Sequence, residues 1–265
     1  MAEFDRRPLA PMVDEAHSLA QNTRSLALST CRKYLAVGSF DRTIAIFDVA
    51  SRKVFRRFGE GHLPSRARFR GPLLRTPGFE PPMELPPDEV TVPPRVGHTA
   101  TVLAVIFSPD SSLVVSGSSD TTIRIWRLET SEMLRALVGH TNAVEALAMA
   151  PDTATLASGS WDMSVMIWRT HTGERLHTLA GHSNWVLSLA FSADGGRLVS
   201  GSRDKTVRVW DARSGQLLGV GGGDCAEFVE YVALSPDGTQ LVSGYSDEAT
   251  RIWCMMAAHA VRDRR

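Results

Sequence analysis

An interval of 42 residues constrains this chain more than anything else in it: Gly-His recurs at Gly97-His98, Gly139-His140 and Gly181-His182. Ser-Gly-Ser begins at Ser116, Ser158 and Ser200, an aspartate follows at Asp120, Asp162 and Asp204, and tryptophan stands at Trp126, Trp168 and Trp210, all on the same spacing. Four markers sharing one interval describe a structural unit used repeatedly, because a fixed period of roughly 20 to 50 residues is the mark of stacked or radial repeat architectures.

Within one unit the segments TNAVEALAMA, TLASGS, SVMIWRT and RLHTLA are short, rich in strand-forming residues and bounded by turn residues. They read as four antiparallel strands, with no helix. The first hairpin turn is SPDS at Ser108, APDT at Ala150, SADG at Ser192 and SPDG at Ser235. Proline there presets φ at the second turn position, and aspartate bonds the backbone beyond it.

The run from Gly139-His140 through SGSWD to Ile167-Trp168 resembles the WD-repeat (WD40) family. The resemblance implies an all-β fold, a β-propeller with one four-stranded antiparallel blade per repeat. Residues 24–62 and 97–261 carry it, 1–23 read as an N-terminal extension, and 63–96 read as a loop between blades. The three central units are complete. The last keeps Ser243, Asp247 and Trp253 but has Gly223-Asp224 where Gly-His belongs, and the first keeps Asp41 with Phe47 at the tryptophan position and Val37 at the serine position. Five units are recognisable, which leaves three arrangements open: a five-bladed ring, an open arc, or a shortened form of a longer propeller. A short fourth strand for the last blade is expected within 254–265.

The span from Phe47 to Trp126 exceeds the period by 37 residues, and a first Gly-His already stands at Gly61-His62. The segment 63–96 holds nine of the chain's 14 prolines and no alternating pattern, so it is expected to be an extended or disordered loop. The duplicated Gly-His suggests an optional addition to the core, as alternative splicing would supply; a transcript survey finding it always present would count against that. Its PPMELPP stretch favours polyproline II and offers a weak docking motif beside the plainer reading of a passive loop.

His140, Ser158 and Asp162 have the residue types of a nucleophilic triad, as do His98, Ser116, Asp120 and His182, Ser200, Asp204. Three equivalent constellations at a structural period point to a structural role. In the family resembled, His, Ser, Asp and Trp form a hydrogen-bonded tetrad that ties each blade's loops together. The glycine-rich GVGGGD at Gly219–Asp224 lacks the Lys-Ser/Thr and helix of a phosphate loop and reads as a turn between blades. His171 and His177 flank a hairpin turn and read as solvated or packed side chains, so neither a metal nor a cofactor is expected. An enzyme of propeller type would need a unique acidic or histidine cluster in the channel, and the repeat pattern suggests none.

Of six tryptophans, Trp161 and Trp185 have no place in the repeat. Trp161 precedes the tetrad Asp162 and Trp185 follows His182 by three residues, positions that in WD-repeat propellers project to the face where loops gather around the central channel. Phe40 and Arg203 occupy the position of Trp161 in their own units. Tryptophan and arginine are the residues most enriched in binding hot spots, so Trp161, Trp185, Arg203 and Phe40 are candidates for contacting a partner; the alternative is packing against the neighbouring blade. The leading expectation is a non-enzymatic scaffold or adaptor for other proteins or peptides. A segment that works only within a larger multiprotein complex is the second, and a propeller-fold enzyme the third.

Composition narrows the setting. The chain has 29 basic and 29 acidic residues among 265, so no net field draws it to nucleic acid or an anionic membrane. Three cysteines without a Cys-x-x-Cys pair argue against a disulfide framework and a thiolate zinc site. With no secretory leader or apolar span in the sequence given, the cytoplasm or nucleus is the expected location.

Overall fold

The computed structural model describes residues 23–59, 97–222, 227–255 and 261–263. The candidate extension before Thr23, the insert 63–96 and Gly223-Asp224 lie outside these residues. The described chain folds into five four-stranded antiparallel sheets, each built from four consecutive strands. Sheet 1 comprises β1 (Thr23–Leu28), β2 (Tyr34–Ser39), β3 (Ile44–Asp48) and β4 (Lys53–Phe58). Sheet 2 comprises β5 (Val102–Phe107), β6 (Leu113–Ser118), β7 (Ile123–Arg127) and β8 (Met133–Leu137), and sheet 3 comprises β9 (Val144–Met149), β10 (Thr155–Ser160), β11 (Val165–Arg169) and β12 (Arg175–Leu179). Sheet 4 comprises β13 (Val186–Phe191), β14 (Arg197–Ser202), β15 (Thr206–Asp211) and β16 (Leu217–Gly222). Sheet 5 comprises β17 (Val229–Leu234), β18 (Gln240–Tyr245), β19 (Thr250–Met255) and β20 (Val261–Asp263). β1 opens one residue before the expected boundary, and the short final strand β20 falls within the tail expected to supply it.

The core is divided among the contacts between sheets. Ile44, Ile46 and Phe58 of sheet 1 pack on Val105, Val114 and Trp126 of sheet 2. Ile123, Ile125 and Leu137 then meet Leu147, Leu156 and Trp168, and Val165, Ile167 and Leu179 meet Leu189, Leu198 and Trp210. Val207 and Val209 meet Val232, Leu241 and Trp253. Sheets 2, 3 and 4 are therefore apolar on both faces, a leading face toward the preceding sheet and a trailing face toward the next. A single sheet of this kind cannot bury its own faces, which is why the repeats need one another. The first strands lie side by side, β1 on β5, β5 on β9, β9 on β13 and β13 on β17.

A glycine seats each contact. A Cβ added to Gly38 would stand 2.9 Å from Val102, one on Gly117 2.8 Å from Val144, one on Gly159 2.6 Å from Val186 and one on Gly201 2.6 Å from Val229. The central Gly of Ser-Gly-Ser is thus dictated by the approach of the next sheet. Gly59 and Gly97 also touch, since a Cβ on Gly97 would stand 2.4 Å from the Gly59 Cα. The segment between them therefore leaves and returns at one point, and the second of the two Gly-His pairs, Gly97-His98, enters sheet 2.

Candidate functional site

The three complete units hold the same hydrogen-bond chain. In sheet 3 the distances are His140 Nδ1 to Asp162 Oδ2 2.8 Å, His140 Nε2 to Ser158 Oγ 2.8 Å, and Trp168 Nε1 to Ser158 Oγ 2.8 Å. His98, Ser116, Asp120 and Trp126 repeat it at 2.8–2.9 Å, and His182, Ser200, Asp204 and Trp210 at 2.7–2.9 Å. The indole N–H donates to the serine oxygen, the serine hydroxyl donates to Nε2, and Nδ1–H donates to the carboxylate, so every polar group is satisfied. Each aspartate also accepts a backbone N–H across the turn, from Thr99, Thr141 or Ser183. Ser116, Ser158 and Ser200 are fully buried, so no substrate reaches these hydroxyls and the triads are fasteners.

Burial pushes the carboxyls of Asp120, Asp162 and Asp204 up, but the histidine hydrogen bonds, the adjacent hydroxyls and the turn N–H groups outweigh it and hold all three well below the usual carboxylate range. Burial also lowers the His98 imidazole, an effect that its bond to Asp120 only partly offsets.

The incomplete units solve the same problem differently. In sheet 5 the Trp253 indole donates to Ser243 Oγ at 2.8 Å, and the Tyr245 hydroxyl lies 3.3 Å from that oxygen, where the other units place a histidine nitrogen. Asp247 keeps only its turn role, accepting from the Ala249 N–H. In sheet 1 serine and tryptophan are both gone, and Val37 and Phe47 at their positions leave no hydroxyl or indole N–H to satisfy.

A second constellation lies along the neighbouring first strands of the sheets. The ladder between the first two strands of every sheet has a bulge, and the extra residues are Arg24, Leu103, Glu145, Leu187 and Glu230. Bulges re-aim side chains out of a sheet's alternation; Arg24, Glu145, Leu187 and Glu230 line a cavity of about 290 Å³ together with Trp161, Trp185, Arg203, Phe228 and Tyr231. Arg24 of sheet 1 crosses to Glu145 of sheet 3 at 2.7 Å, and the second oxygen of Glu145 accepts from the Trp161 indole at 3.2 Å. Burial raises the Glu145 carboxyl, opposed by Arg24, the Trp161 N–H and Arg203.

The Trp161 ring stacks on Trp185 with centroids 4.1 Å apart and planes 5° from parallel. Arg203 lies over Trp185 at 4.6 Å and over Phe228 at 4.8 Å. The four side chains form one row from sheet 3 to sheet 5, each partly exposed. Two backbone bonds place them: Trp161 N–H donates to the Ala143 carbonyl and Arg203 N–H to the Trp185 carbonyl, both at 2.9 Å. Trp161, Trp185 and Arg203 are thus brought together, while Phe40 stands apart on sheet 1, 53% exposed and outside the cavity.

Sequence reasoning missed Arg24, Glu145, Phe228, Glu230 and Tyr231. Two carboxylates, Glu145 and Glu230, line the cavity. The available signal was a charged residue at one repeat position in three of the five first strands, Arg24, Glu145 and Glu230, where the other two carry leucine. His177 is satisfied by the Arg213 carbonyl at 2.8 Å, and among the described residues no cluster of three or more candidate ligands suits a metal ion.

Radially stacked four-stranded sheets tied by His-Ser-Asp-Trp tetrads define a repeat protein of the β-propeller class. The family model of the WD domain, G-beta repeat, matches residues 13–48, 91–127, 131–169, 173–211 and 215–254. These five matches cover more than half of the chain, which belongs to the WD40 family. WD40 repeats serve in general as protein-interaction scaffolds, typically without enzymatic activity.

Proposed function

We propose that this chain is a non-enzymatic adaptor that holds a protein partner against Trp161, Trp185, Arg203 and Phe228 at the rim of the cavity. The observation that carries the reading is the stacked row itself. Large aromatic rings and a guanidinium clamped between two of them have little rotamer freedom left to lose on binding, and such residues dominate interface energetics. The cavity beneath the row supports an inserted side chain, while the tetrads are occupied with internal bonds. Both oxygens of Glu145 are engaged, which favours a positioning role for it over acid–base chemistry. Charge balance and the few cysteines favour action in the cytoplasm or nucleus, and finding the tagged chain in the secretory pathway would overturn that placement.

Affinity capture with the intact chain beside a Trp161→Ala, Trp185→Ala, Arg203→Ala variant tests the proposal, with His140→Ala as a destabilised control whose rim is intact. Partners retained by the control and lost by the triple variant, at a temperature where both are folded, are the expected result. Equal capture by all three chains would refute the assignment of the rim.

A further inference from the structure

The five sheets provide an internal comparison, because each repeat position can be followed around the arc. At the position of Leu26 on the leading face stand Val105, Leu147, Leu189 and Val232, which are 3%, 8%, 9% and 8% exposed against the preceding sheet; Leu26 is 61% exposed. Leu28 on the same face is 55% exposed. Sheet 1 thus presents an apolar leading face, continued by the half-buried Leu35 and Phe47, that no described residue covers.

The trailing face of sheet 5 is also uncovered, yet it is built differently. Sheets 1 to 4 carry a small residue beside the glycine seat, Ser25, Ala104, Ala146 or Ser188, and sheet 5 carries Tyr231. The nearest atoms to a Cβ added at Gly244 belong to Tyr231 itself, at 3.8 and 3.9 Å. Tyr231, 71% exposed, therefore stands beside the seat where a valine of a following sheet would insert and is far bulkier than its counterparts. Beside it Thr250 stands where Ile44, Ile123, Val165 and Val207 are buried in the other sheets. A polar residue on the outer face and a bulky side chain bordering the seat are what a terminal repeat needs to stop propagation.

We infer that the leading face of sheet 1, centred on Leu26 and Leu28, is a docking surface for the trailing face of a WD-type blade supplied by another polypeptide, and that Tyr231 and Thr250 deny that place to sheet 5 of this chain. The occupant is specified by the four internal contacts, which all seat a leading face of this kind on an open glycine flanked by a small residue. The same mismatch keeps the arc from joining its own ends and keeps copies from polymerising head to tail. The Leu26–Leu28 face is distinct from the tryptophan rim, although Tyr231 also lines the rim cavity.

The test uses two forms of the full chain. One is the wild type, with a free leading face and a seat bordered by Tyr231. The other carries Tyr231→Ser and Thr250→Val to open the seat, plus Leu26→Glu to disable its own leading face. Light scattering of the mixture should show a one-to-one complex of twice 28.9 kDa, with each chain alone monomeric at concentrations on the order of 100 µM. Introducing Leu26→Glu into the first chain as well should abolish the complex. Two folded chains, verified by circular dichroism, that stay monomeric when mixed would overturn the proposal. So would self-association of the wild type that Leu26→Glu removes, since it would show the seat to be open already. Should the triple variant fail to fold, Leu26→Glu with Tyr231→Ser alone is read in the same way.

Discussion

His140 is buried and bonded at both nitrogens, so removing it leaves the buried hydroxyl proton of Ser158 without its acceptor and takes one of two donors from Asp162 Oδ2. Leaving buried polar groups unpaired costs about 1–3 kcal/mol. His140→Ala is therefore expected to lower stability by about 2–3 kcal/mol in urea unfolding, and a change under about 0.5 kcal/mol would contradict the fastener role. The tetrads also make the fold acid-sensitive. Asp120, Asp162 and Asp204 sit below their ordinary value when folded, so as pH falls through about 4 the unfolded chain takes up protons first. Their contribution is complete above about pH 5 and lost progressively below it. His98 acts in the same sense at higher pH: its folded value is depressed, the unfolded imidazole protonates first, and stability begins to decline below about 6.5. A thermal midpoint that falls gently from pH 7 to 5 and steeply below 4 is expected, and one that is flat down to pH 4 would count against this account. The identity of these residues was legible in the 42-residue spacing. The replacement of a histidine by the Tyr245 hydroxyl was not, because Tyr245 stands at a different repeat position from the histidines, two residues beyond Ser243 on the same strand.

At the scale of the element, the first hairpin of each unit requires a left-handed residue at its fourth turn position. Gly195 and Gly238 supply it at φ 68° and 66°, whereas Ser111 and Thr153 adopt φ 60° with a side chain. A β-branched residue is strained there by about 1–2 kcal/mol, while glycine costs about 0.5–1 kcal/mol more entropy on folding. Thr153→Gly is thus expected to stabilise the chain by about 0.5–1 kcal/mol, and a net loss in a denaturant titration would refute it. The contact of Gly59 with Gly97 leads to a second expectation. Deleting Glu60–Val96 joins the two glycines and matches the connection from Leu137 through Val138 to Gly139. The shortened chain should fold with its midpoint within about 5 °C of the parent, on the order of 1 kcal/mol for a domain this size; failure to fold would show that the segment is part of the core. The strands themselves were legible as β-rich runs between turn residues. Their bulges were not, since a bulge depends on the register with the partner strand, and with it went the residues that line the cavity.

Across the whole molecule, stability is shared between neighbours. Among the described residues, sheets 2, 3 and 4 are covered on both faces, and sheets 1 and 5 on one, as the exposure of Leu26, Tyr231 and Ile252 attests. In a quasi-linear array the end units lose one interface term and open first. Amide exchange is therefore expected to be slowest in β9–β11 and faster in β2, β3, β18 and β19, and uniform protection would imply a single cooperative unit with both ends covered. The Arg24–Glu145 bond joins sheet 1 to sheet 3 past the sheet between them, and no sequence pattern signals a pair separated by 121 positions. What the sequence by itself determined is the repeated unit: its strands, its turns and the residues that fasten each sheet, because these interactions recur at one interval within a unit or with the unit beside it. What only the tertiary structure decided is which faces stay uncovered and which side chains converge on the cavity. Those outcomes depend on how the sheets are stacked in space, a property of the assembled arc that no single repeat contains.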